Sequence, residues 1–404
     1  MTPLRRALAA LLALVLGPHA QAGFSIPGYE LVQTAPVETT LVNDDLRSSA
    51  AVWSQLFDEA RSEIVIGQFY AISKAGTPFD KVVERLEAAG ARGVKIRFLL
   101  DKKGVGLSDP ATLARLRQIP NLDMRVLDYA QLTGTGIIHA KYIAVDKKAA
   151  FIGSQNFDWR AFTHIHETGL LITDAAMVAQ VHAVFERDWQ AQSLLAANLA
   201  VPRAVALAVA PQAAQLVASP AAFNPPGVAD SEVVLPALLA DARHEVRIQL
   251  LDYAPLGYGP ENTRPYYGVI DNAVRAAAAR GVKIKLMVSN WNTEQPGIAY
   301  LKSLALLPNV EVRIVTLPAA AGGPIPFARV IHSKTMSIDG KLAWVGTSNW
   351  AGGYFDKSRN LEVVLRNEKM AQRLGALHEQ TWSSSYAQPI DIAKDYPKPN
   401  KGNE

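Results

Sequence analysis

The stretch His139-Ala140-Lys141-Tyr142-Ile143-Ala144-Val145-Asp146 decides how this sequence folds, because it returns later as His332-Ser333-Lys334-Thr335-Met336-Ser337-Ile338-Asp339. Both copies have the form H-x-K-x-x-x-x-D, and each is followed by a Gly-Ser/Thr-x-Asn turn, at residues 153–156 and 346–349. One such motif can arise by chance in a chain of 404 residues. Two in the same order, with matching turns, predict an internal duplication.

Further matches extend the duplication beyond the motifs. Residues 91–96 recur at 279–284, and residues 120–126 recur at 308–314, both at an offset of 188. The motifs themselves recur at an offset of 193, and an insertion of five residues near 318–326 accounts for the difference. The whole chain is therefore a tandem repeat.

The repeat and the local composition divide the chain into segments. We expect a first copy at 23–196, a linker at 197–228, a second copy at 229–388 and a loose tail at 389–404. Five prolines interrupt the linker, where a short helix near 205–216 is also expected. The tail is rich in Pro and Lys, which is typical of a poorly packed terminus.

Each copy alternates strand-like and helix-like segments. In the first copy, apolar runs at 63–70 and 94–100 predict strands, and Thr77-Pro78 followed by helical spacing predicts a helix between them. This alternation is typical of a sheet covered by helices. We expect an α/β fold in which two sandwich-like copies pack with pseudo-two-fold symmetry and form the active site at their interface.

The first 22 residues have the pattern of a secretory signal peptide. Arg5 and Arg6 precede an apolar stretch at 7–17, and Ala20-Gln21-Ala22 supplies a cleavage site before Gly23. Without these residues the formal charge falls from +4 to +2 (39 basic minus 37 acidic), which is too near neutral to indicate a nucleic-acid partner by itself. The chain has no Cys, so thiol catalysis, thiolate metal sites and disulfides are excluded. We expect a secreted or periplasmic protein.

Strand geometry separates the chemical from the structural residues of each motif. Side chains two apart on a strand share a face, so the His and the Lys of each motif point the same way. The Asp lies seven residues from the His and has the opposite parity, and Asp339 is followed by Gly340, which is a hairpin signal. The expected chemical pairs are His139 with Lys141 and His332 with Lys334, and the expected structural residues are Asp146 and Asp339.

Two histidines and two lysines around one space suit the cleavage of a phosphodiester. A neutral imidazole can attack phosphorus to form a phosphohistidine, and a second, protonated imidazole can protonate the leaving oxygen and then activate water. The lysines neutralise the non-bridging oxygens. One copy supplies only half of these groups, so the two halves must meet at the interface.

Polar residues downstream of each motif extend this site. The hydroxyl and amide groups of the two turns are suited to hold phosphoryl oxygens, and one Glu in each copy begins an apolar strand from which it can orient a histidine. The expected phosphate ligands are Ser154, Asn156, Thr347 and Asn349, and the expected orienting residues are Glu167 and Glu362.

With these motifs the chain resembles the phospholipase D superfamily, and within it the lysosomal phospholipase-D-like exonucleases and the poxvirus nicking-joining enzymes. The likeness is carried by residues 132–159, 281–291 and 325–330, and by Gly346-Thr347-Ser348-Asn349-Trp350. It implies two phospholipase D-type αβ sandwich domains and a phosphohistidine mechanism that uses no metal and no cofactor. The animal members are disulfide-bonded and membrane-anchored, whereas this chain has no Cys.

The same resemblance implies roles for individual residues. His139 and His332 are the catalytic pair, and Lys141, Lys334, Asn156 and Asn349 contact the phosphate. The sequence leaves the nucleophile open between the two histidines, and we favour His139.

Three functions remain for comparison. The resemblance favours a nuclease acting on single-stranded nucleic acid, and the alternative is a phospholipase D that hydrolyses phospholipids or transfers their phosphatidyl group. The near-neutral charge and an exported setting support this alternative, which allows peripheral contact with a membrane. A non-catalytic binding module is disfavoured because both copies keep His and Lys. We expect a phosphodiester substrate and no obligate protein partner.

Overall fold

The structure is a computed structural model that describes residues 23–204, 209–259 and 263–402. The predicted signal peptide lies outside the described residues. In the described part, no helix combines the length and the apolar character needed to cross a membrane.

The first copy contains eleven strands and six helices among the described residues. Its strands are β1 (Ser25–Ile26), β2 (Tyr29–Thr34), β3 (Arg47–Ser48), β4 (Glu63–Gln68), β5 (Ala71–Ile72), β6 (Lys95–Asp101), β7 (Leu122–Leu127), β8 (Tyr142–Val145), β9 (Ala149–Gly153), β10 (Phe157–Asp158) and β11 (Glu167–Ile172). Its helices are α1 (Ser49–Glu59), α2 (Pro78–Ala91), α3 (Lys102–Val105), α4 (Pro110–Arg117), α5 (Ala130–Thr133) and α6 (Ala175–Ala196).

The second copy repeats this order with fewer helices. Its strands are β12 (Ala214–Ser219), β13 (Ala229–Asp230), β14 (Glu245–Leu250), β15 (Tyr253–Ala254), β16 (Lys283–Ser289), β17 (Val310–Val315), β18 (Thr335–Ile338), β19 (Leu342–Gly346), β20 (Trp350–Ala351), β21 (Asn360–Leu365) and β22 (Ala387–Pro389). Its helices are α7 (Ser231–Asp241), α8 (Gly268–Ala279), α9 (Gly297–Ala305) and α10 (Glu368–Trp382).

The two main sheets have the same topology. The strand order β2-β11-β9-β8-β4-β6-β7 in the first copy corresponds to β12-β21-β19-β18-β14-β16-β17 in the second. In the first sheet β4, β6 and β7 are parallel to one another, and in the second β14, β16 and β17 are. All other neighbouring strands in these two orders are antiparallel. The α/β fold and the tandem duplication are therefore confirmed.

The interface between the copies is part of the hydrophobic core. One buried cluster combines Ile152 and Phe185 of the first copy with Val345 and Leu374 of the second, and α6 and α10 both contribute to it. Because core packing tolerates little displacement, this shared cluster fixes the copies relative to each other. Side chains that approach the interface from both sheets are thereby held in a constant geometry.

Asp146 and Asp339 brace the tight turns between β8 and β9 and between β18 and β19. Both have a positive φ, of 51° and 53°, as a type I′ turn requires. The Asp146 carboxylate accepts the backbone N–H groups of residues 61–63 at 2.7–2.8 Å, and the Asp339 carboxylate accepts those of residues 243–245 at 2.8 Å. Each Asp thus ties its turn to the start of the neighbouring strand.

Two segments differ from the expected organisation. Residues 214–219, expected in the linker and at the end of its helix, form β12, which pairs along its whole length with β21. Successive side chains of a strand point to opposite faces of its sheet, and Leu216 and Val217 are buried in the two different cores that cover these faces. This burial on both faces explains why the segment is a strand. The expected helix is absent from residues 209–216, and residues 205–208 lie outside the described part.

The tail is also more ordered than expected. Strand β22, which ends at the first residue of the expected tail, pairs with β17, and the next residue, Ile390, donates its backbone N–H to the carbonyl oxygen of Val312. Further along, the backbone N–H of Phe327 donates to the carbonyl oxygen of Lys401 at 2.9 Å. The tail therefore packs on the second copy.

Candidate active site

Backbone bridges between the copies bring the two motifs together. The N–H of His139 donates to the carbonyl of Arg359 at 2.9 Å, and the N–H of His332 donates to the carbonyl of His166 at 2.8 Å. The residue after each acceptor is the first residue of β21 or β11. Each motif histidine therefore lies against the start of a strand from the other copy.

The two histidine rings have chemically different partners. Nδ1 of His332 lies 2.9 Å from one carboxylate oxygen of Glu167 and 3.0 Å from the other. Nδ1 of His139 lies 3.0 Å from Oδ1 of Asn360. The site is thus symmetric in its backbone and asymmetric in its chemistry, with a carboxylate for one histidine and an amide for the other.

The orientation of the Asn360 amide follows from its other contacts. Its Nδ2 donates to the carbonyl of Tyr354 at 2.8 Å, and its Oδ1 accepts from the hydroxyl of Thr347 at 2.9 Å. The oxygen therefore faces His139, whose Nδ1 must carry the hydrogen. The ring is held in the tautomer whose Nε2 keeps a free lone pair.

Asn360 takes the position that the sequence analysis assigned to Glu362, and that assignment was wrong. The motif offset of 193 relates Glu167 to Asn360, and both are the first residue of their strand. Glu362 lies two residues further, and its carboxylate accepts from the hydroxyls of Ser231, at 2.7 Å, and Ser348. It therefore holds α7 and the turn after β19, and it does not contact His139.

The two lysines are fully buried in the site. Lys141 and Lys334 have no exposed surface, and each Nζ donates to the carbonyl of the histidine in its own motif. Burial, with the charge of Lys334 added, holds the pKa of Lys141 well below its usual value. Burial also lowers the pKa of Lys334 to about 7, against the opposing effect of Glu167. A bound phosphate anion would stabilise the charged form of both.

The surroundings of both histidines favour the neutral imidazole. Burial, followed by the charges of the two lysines, holds the pKa of His139 and that of His332 well below 6.5. His139 and His332 are only 6% and 7% exposed. Since a lysine of the other copy contributes to each shift, the four groups lie within electrostatic reach of one another.

Glu167 is buried beside these cations. Burial raises its pKa to about 8, although Lys334 opposes the shift. A proton between this carboxyl group and His332 therefore resides on Glu167, and a nearby negative charge would favour its transfer to the imidazole. This arrangement can supply a proton to a leaving group.

The residues of the two turns have different environments. The Ser154 hydroxyl donates to the Thr168 carbonyl at 3.2 Å and accepts from its N–H at 3.1 Å, just as Thr347 is engaged with Asn360. These hydroxyls already have protein partners, which favours a positioning role over the expected phosphate contact. By contrast, Oδ1 of Asn156 and of Asn349 is buried without a hydrogen-bond partner in the described part. These oxygens remain available to a hydrogen-bond donor, whereas a phosphoryl oxygen would be bound by the Nδ2 groups of the two amides.

Two aromatic rings flank His139 that the sequence analysis did not assign to the site. The Tyr354 ring lies 4.8 Å from the imidazole, edge to face, and the Phe69 ring lies 6.0 Å away. Phe69 directly follows β4, at the same sheet edge as the motif. Strand-end position was therefore the signal that could have found it.

Comparisons with known proteins agree with this architecture. A family model described as "Cardiolipin synthase, PLD-like domain" matches residues 54–189 and 235–382, once in each copy. A crystal structure of phosphatidylserine synthase from Haemophilus influenzae has a TM-score of 0.57 at 10% identity, covering 84% of this chain and 85% of that one, and this likeness concerns the fold alone.

Curated relatives match along most of the chain. A probable phospholipase D of Caenorhabditis elegans is 28% identical over 392 residues, covering 89% of this chain and 70% of the relative. Phospholipase D Z of Dictyostelium discoideum is 29% identical over 390 residues, covering 89% and 90%. The 5′-3′ exonuclease PLD3 of Rattus norvegicus is 28% identical over 382 residues, covering 86% and 77%.

Proposed function

We propose that this chain, which belongs to the phospholipase D superfamily, cleaves single-stranded nucleic acid through a phosphohistidine intermediate. Its relatives are hydrolases of phosphodiester bonds, and so is this chain. We infer the mechanism from one observation: each motif histidine bonds to a side chain of the other copy. This side chain is a carboxylate for His332 and an amide for His139.

His139 is the nucleophile in this proposal. Its Nδ1–H is fixed by Asn360, so the Nε2 lone pair is free to attack phosphorus, and burial keeps the ring neutral. The Nε2–P bond forms as the bond from phosphorus to the leaving oxygen breaks. The two lysines, with Asn156 and Asn349, stabilise the negative charge of the phosphoryl oxygens.

His332 is the general acid and then the general base. Burial and then the lysine charges lower the pKa of His332; a phosphate bound between the lysines offsets the second effect, and Glu167 stabilises the imidazolium that results. The imidazolium gives its proton to the leaving oxygen. In the second half, the neutral ring takes a proton from water, whose oxygen attacks phosphorus and releases His139.

The mouth of the site supports a nucleic-acid substrate. Tyr258 and Phe327 are large aromatic residues that remain 37% and 41% exposed, and Tyr258 contacts the loop before β21 through Ser358. Two cations lie over rings of this region: Arg160 is 5.8 Å from the centre of the Phe327 ring, and Lys401 is 5.9 Å from that of Trp291. Exposed aromatic rings interleaved with cations suit the stacking of bases along a single strand.

We also propose that the chain is exported. The support is the signal-peptide pattern of its first 22 residues, and an exported chain would meet extracellular or periplasmic substrates. Mass spectrometry of protein recovered from outside the cytoplasm should find Gly23 as the first residue.

The test uses purified protein with two substrates in the presence of EDTA. We expect cleavage of 5′-labelled single-stranded DNA and none of phosphatidylcholine or phosphatidylglycerol vesicles. His139→Ala and His332→Ala should each lose at least about 10³-fold in kcat, whereas His244→Ala, on an exposed ring, should keep wild-type turnover.

Three results would contradict the proposal. Loss of activity with EDTA would exclude the metal-independent mechanism. Wild-type turnover by His139→Ala or His332→Ala would exclude the site. Cleavage of the vesicles alone would support the phospholipase D activity named for some relatives.

A further inference from the structure

A small cavity opens beside the catalytic centre on the side of the second copy. Its volume is ≈ 260 Å³, and its lining includes Asp252, Arg264, Trp291, Glu294, Asn349 and Lys401. Tyr354, whose ring contacts His139, also lines it. The cavity is therefore continuous with the site, and its size, just below that of pockets for drug-sized ligands, suits one small group.

Among the described residues, a larger side chain occupies the corresponding position of the first copy. Asp252 corresponds to Tyr70, since both lie two residues after the equivalent strands β14 and β4. The larger Tyr70 side chain donates its hydroxyl to Asp158 at 2.8 Å, and Arg160 also bonds that carboxylate. Substrate groups on the two sides of the scissile phosphate thus meet different surroundings.

The tail of the chain forms one wall of this cavity. Three contacts hold Lys401 in place: its Nζ lies 2.9 Å from a Glu294 oxygen and 5.9 Å from the centre of the Trp291 ring, and its carbonyl accepts from Phe327. Earlier in the tail, the Tyr396 hydroxyl accepts from the backbone of Asp391. Lys401 therefore limits how far the cavity extends on this side.

The charges of the tail reach the catalytic lysine through Asp252. Burial raises the pKa of Asp252, and Lys401, Arg264 and Lys334 oppose that shift. Asp252 therefore lies within electrostatic reach of both the tail lysine and the motif lysine.

We infer that the tail segment at Lys401 forms one wall of a nucleoside subsite beside the scissile phosphate, and that Lys401 is the positioning residue that holds this wall against Trp291 and Glu294. The inference rests on the proposed nuclease function and names the group that the cavity binds. Trp291 offers a ring for base stacking, and Arg264 and Glu294 offer donors and acceptors for a base edge or a sugar. A phospholipid would place an acyl chain or a head group here, and the charged lining disfavours an acyl chain.

The experiment compares Lys401→Ala, Lys401→Arg and the control Lys398→Ala, which removes an exposed cation from the same segment. We would measure hydrolysis of bis(p-nitrophenyl) phosphate, its inhibition by thymidine 5′-monophosphate, and kcat and KM on a single-stranded oligonucleotide. Lys401→Ala should weaken inhibition and raise the oligonucleotide KM about tenfold, and kcat for the small diester should change much less than this KM. Lys401→Arg should restore both, and Lys398→Ala should match wild type.

The outcomes separate this inference from the proposed function. Unchanged inhibition in Lys401→Ala, or an equal fall of kcat on both substrates, would overturn the subsite. Inhibition by glycerophosphoethanolamine but not by the nucleotide would assign the cavity to a lipid head group and overturn it as well. If wild type left oligonucleotides intact, the nuclease proposal would fail, and nucleotide inhibition would still decide the subsite.

Discussion

Glu167 and Asn360 occupy corresponding positions, as the first residues of β11 and β21, and each contacts the motif histidine of the other copy. A duplication alone would produce two identical halves. Here one half has a carboxylate and the other an amide, so the two imidazoles differ in their affinity for a proton. This difference lets a pseudo-symmetric site assign nucleophile and acid to different copies.

Replacing the carboxylate should impair proton transfer to the leaving group. In Glu167→Gln, His332 loses the group that stabilises its imidazolium, so we expect kcat on an oligonucleotide to fall about 10²-fold. The loss should be much smaller in the first step with bis(p-nitrophenyl) phosphate, because nitrophenolate leaves without a proton. Pre-steady-state release of nitrophenolate measures this step, and steady-state kinetics on the oligonucleotide measures kcat.

Glu362→Gln is the matched control for this change. Glu362 is equally buried, and burial raises its pKa to about 7, but it bonds Ser231 and Ser348 instead of a histidine. The kcat of Glu362→Gln should stay within a factor of about two of wild type, since the amide keeps the shape of the side chain and part of its hydrogen bonding to the two serines. An equal loss in both variants would refute the distinct role of Glu167.

The identity of the nucleophile is open to a direct test with the activated diester. In His332→Asn, His139 should still attack and release nitrophenolate, but the intermediate should not be hydrolysed. We therefore expect a burst of one equivalent followed by a slow phase, and an intact-protein mass increased by one p-nitrophenylphosphoryl group, which peptide mapping should place on His139. His139→Asn should show no burst. The reverse pattern would assign attack to His332.

The site also predicts an acidic pH optimum. The profile of kcat/KM reports the free enzyme, in which Lys334, with a pKa of about 7, and His332, with a pKa well below 6.5, must both be protonated. Protonation is lost as the pH rises, first from His332 and then from Lys334, so kcat/KM should already fall below pH 6.5 and continue to fall across neutrality. His139 must be neutral, and since burial lowers its pKa, the acid limb should lie well below 6.5. An optimum above pH 8, in protein shown by circular dichroism to be folded, would contradict this.

Much of the site follows from spacing along the sequence. The two-residue period of a strand placed the His and Lys of each motif together, and the offset of 193 between the motifs also relates Glu167 to Asn360. Residue type suggested Glu362 instead, two positions away, where a side chain of the same parity meets different neighbours. The register of the repeat was the better guide, because equivalent strands keep their pairing when their side chains change.

Other features depend on contacts that no local pattern encodes. The tail composition indicates a loose segment, yet Lys401 reaches Glu294, more than a hundred residues earlier. Likewise, the prolines around residues 214–219 suggest a linker, while their burial between two cores makes them a strand. In both cases tertiary packing overrides a weak local preference.

The braced turns predict a loss of stability without loss of chemistry. Asp339→Ala removes the acceptor of three backbone N–H groups and a residue that tolerates positive φ, so the free energy of unfolding should fall by about 2 kcal/mol. Asp241→Ala, which removes an exposed carboxylate nearby, should change it by less than about 0.5 kcal/mol. Urea unfolding at pH 7 measures both, and kcat of the folded variant should match wild type.

The effect of Asp339 should also depend on pH in a defined direction. Burial raises the pKa of this carboxyl group, but hydrogen bonds from Glu245, Arg243 and His244 outweigh it and hold the pKa below its usual 3.8. A depressed pKa in the folded protein means that the carboxylate contributes its stability above that usual value and loses it as the pH falls further. The difference between wild type and Asp339→Ala should therefore narrow below about pH 4. A difference that grew with acidification, or a variant that folded stably but lost turnover, would show that Asp339 acts on the chemistry instead.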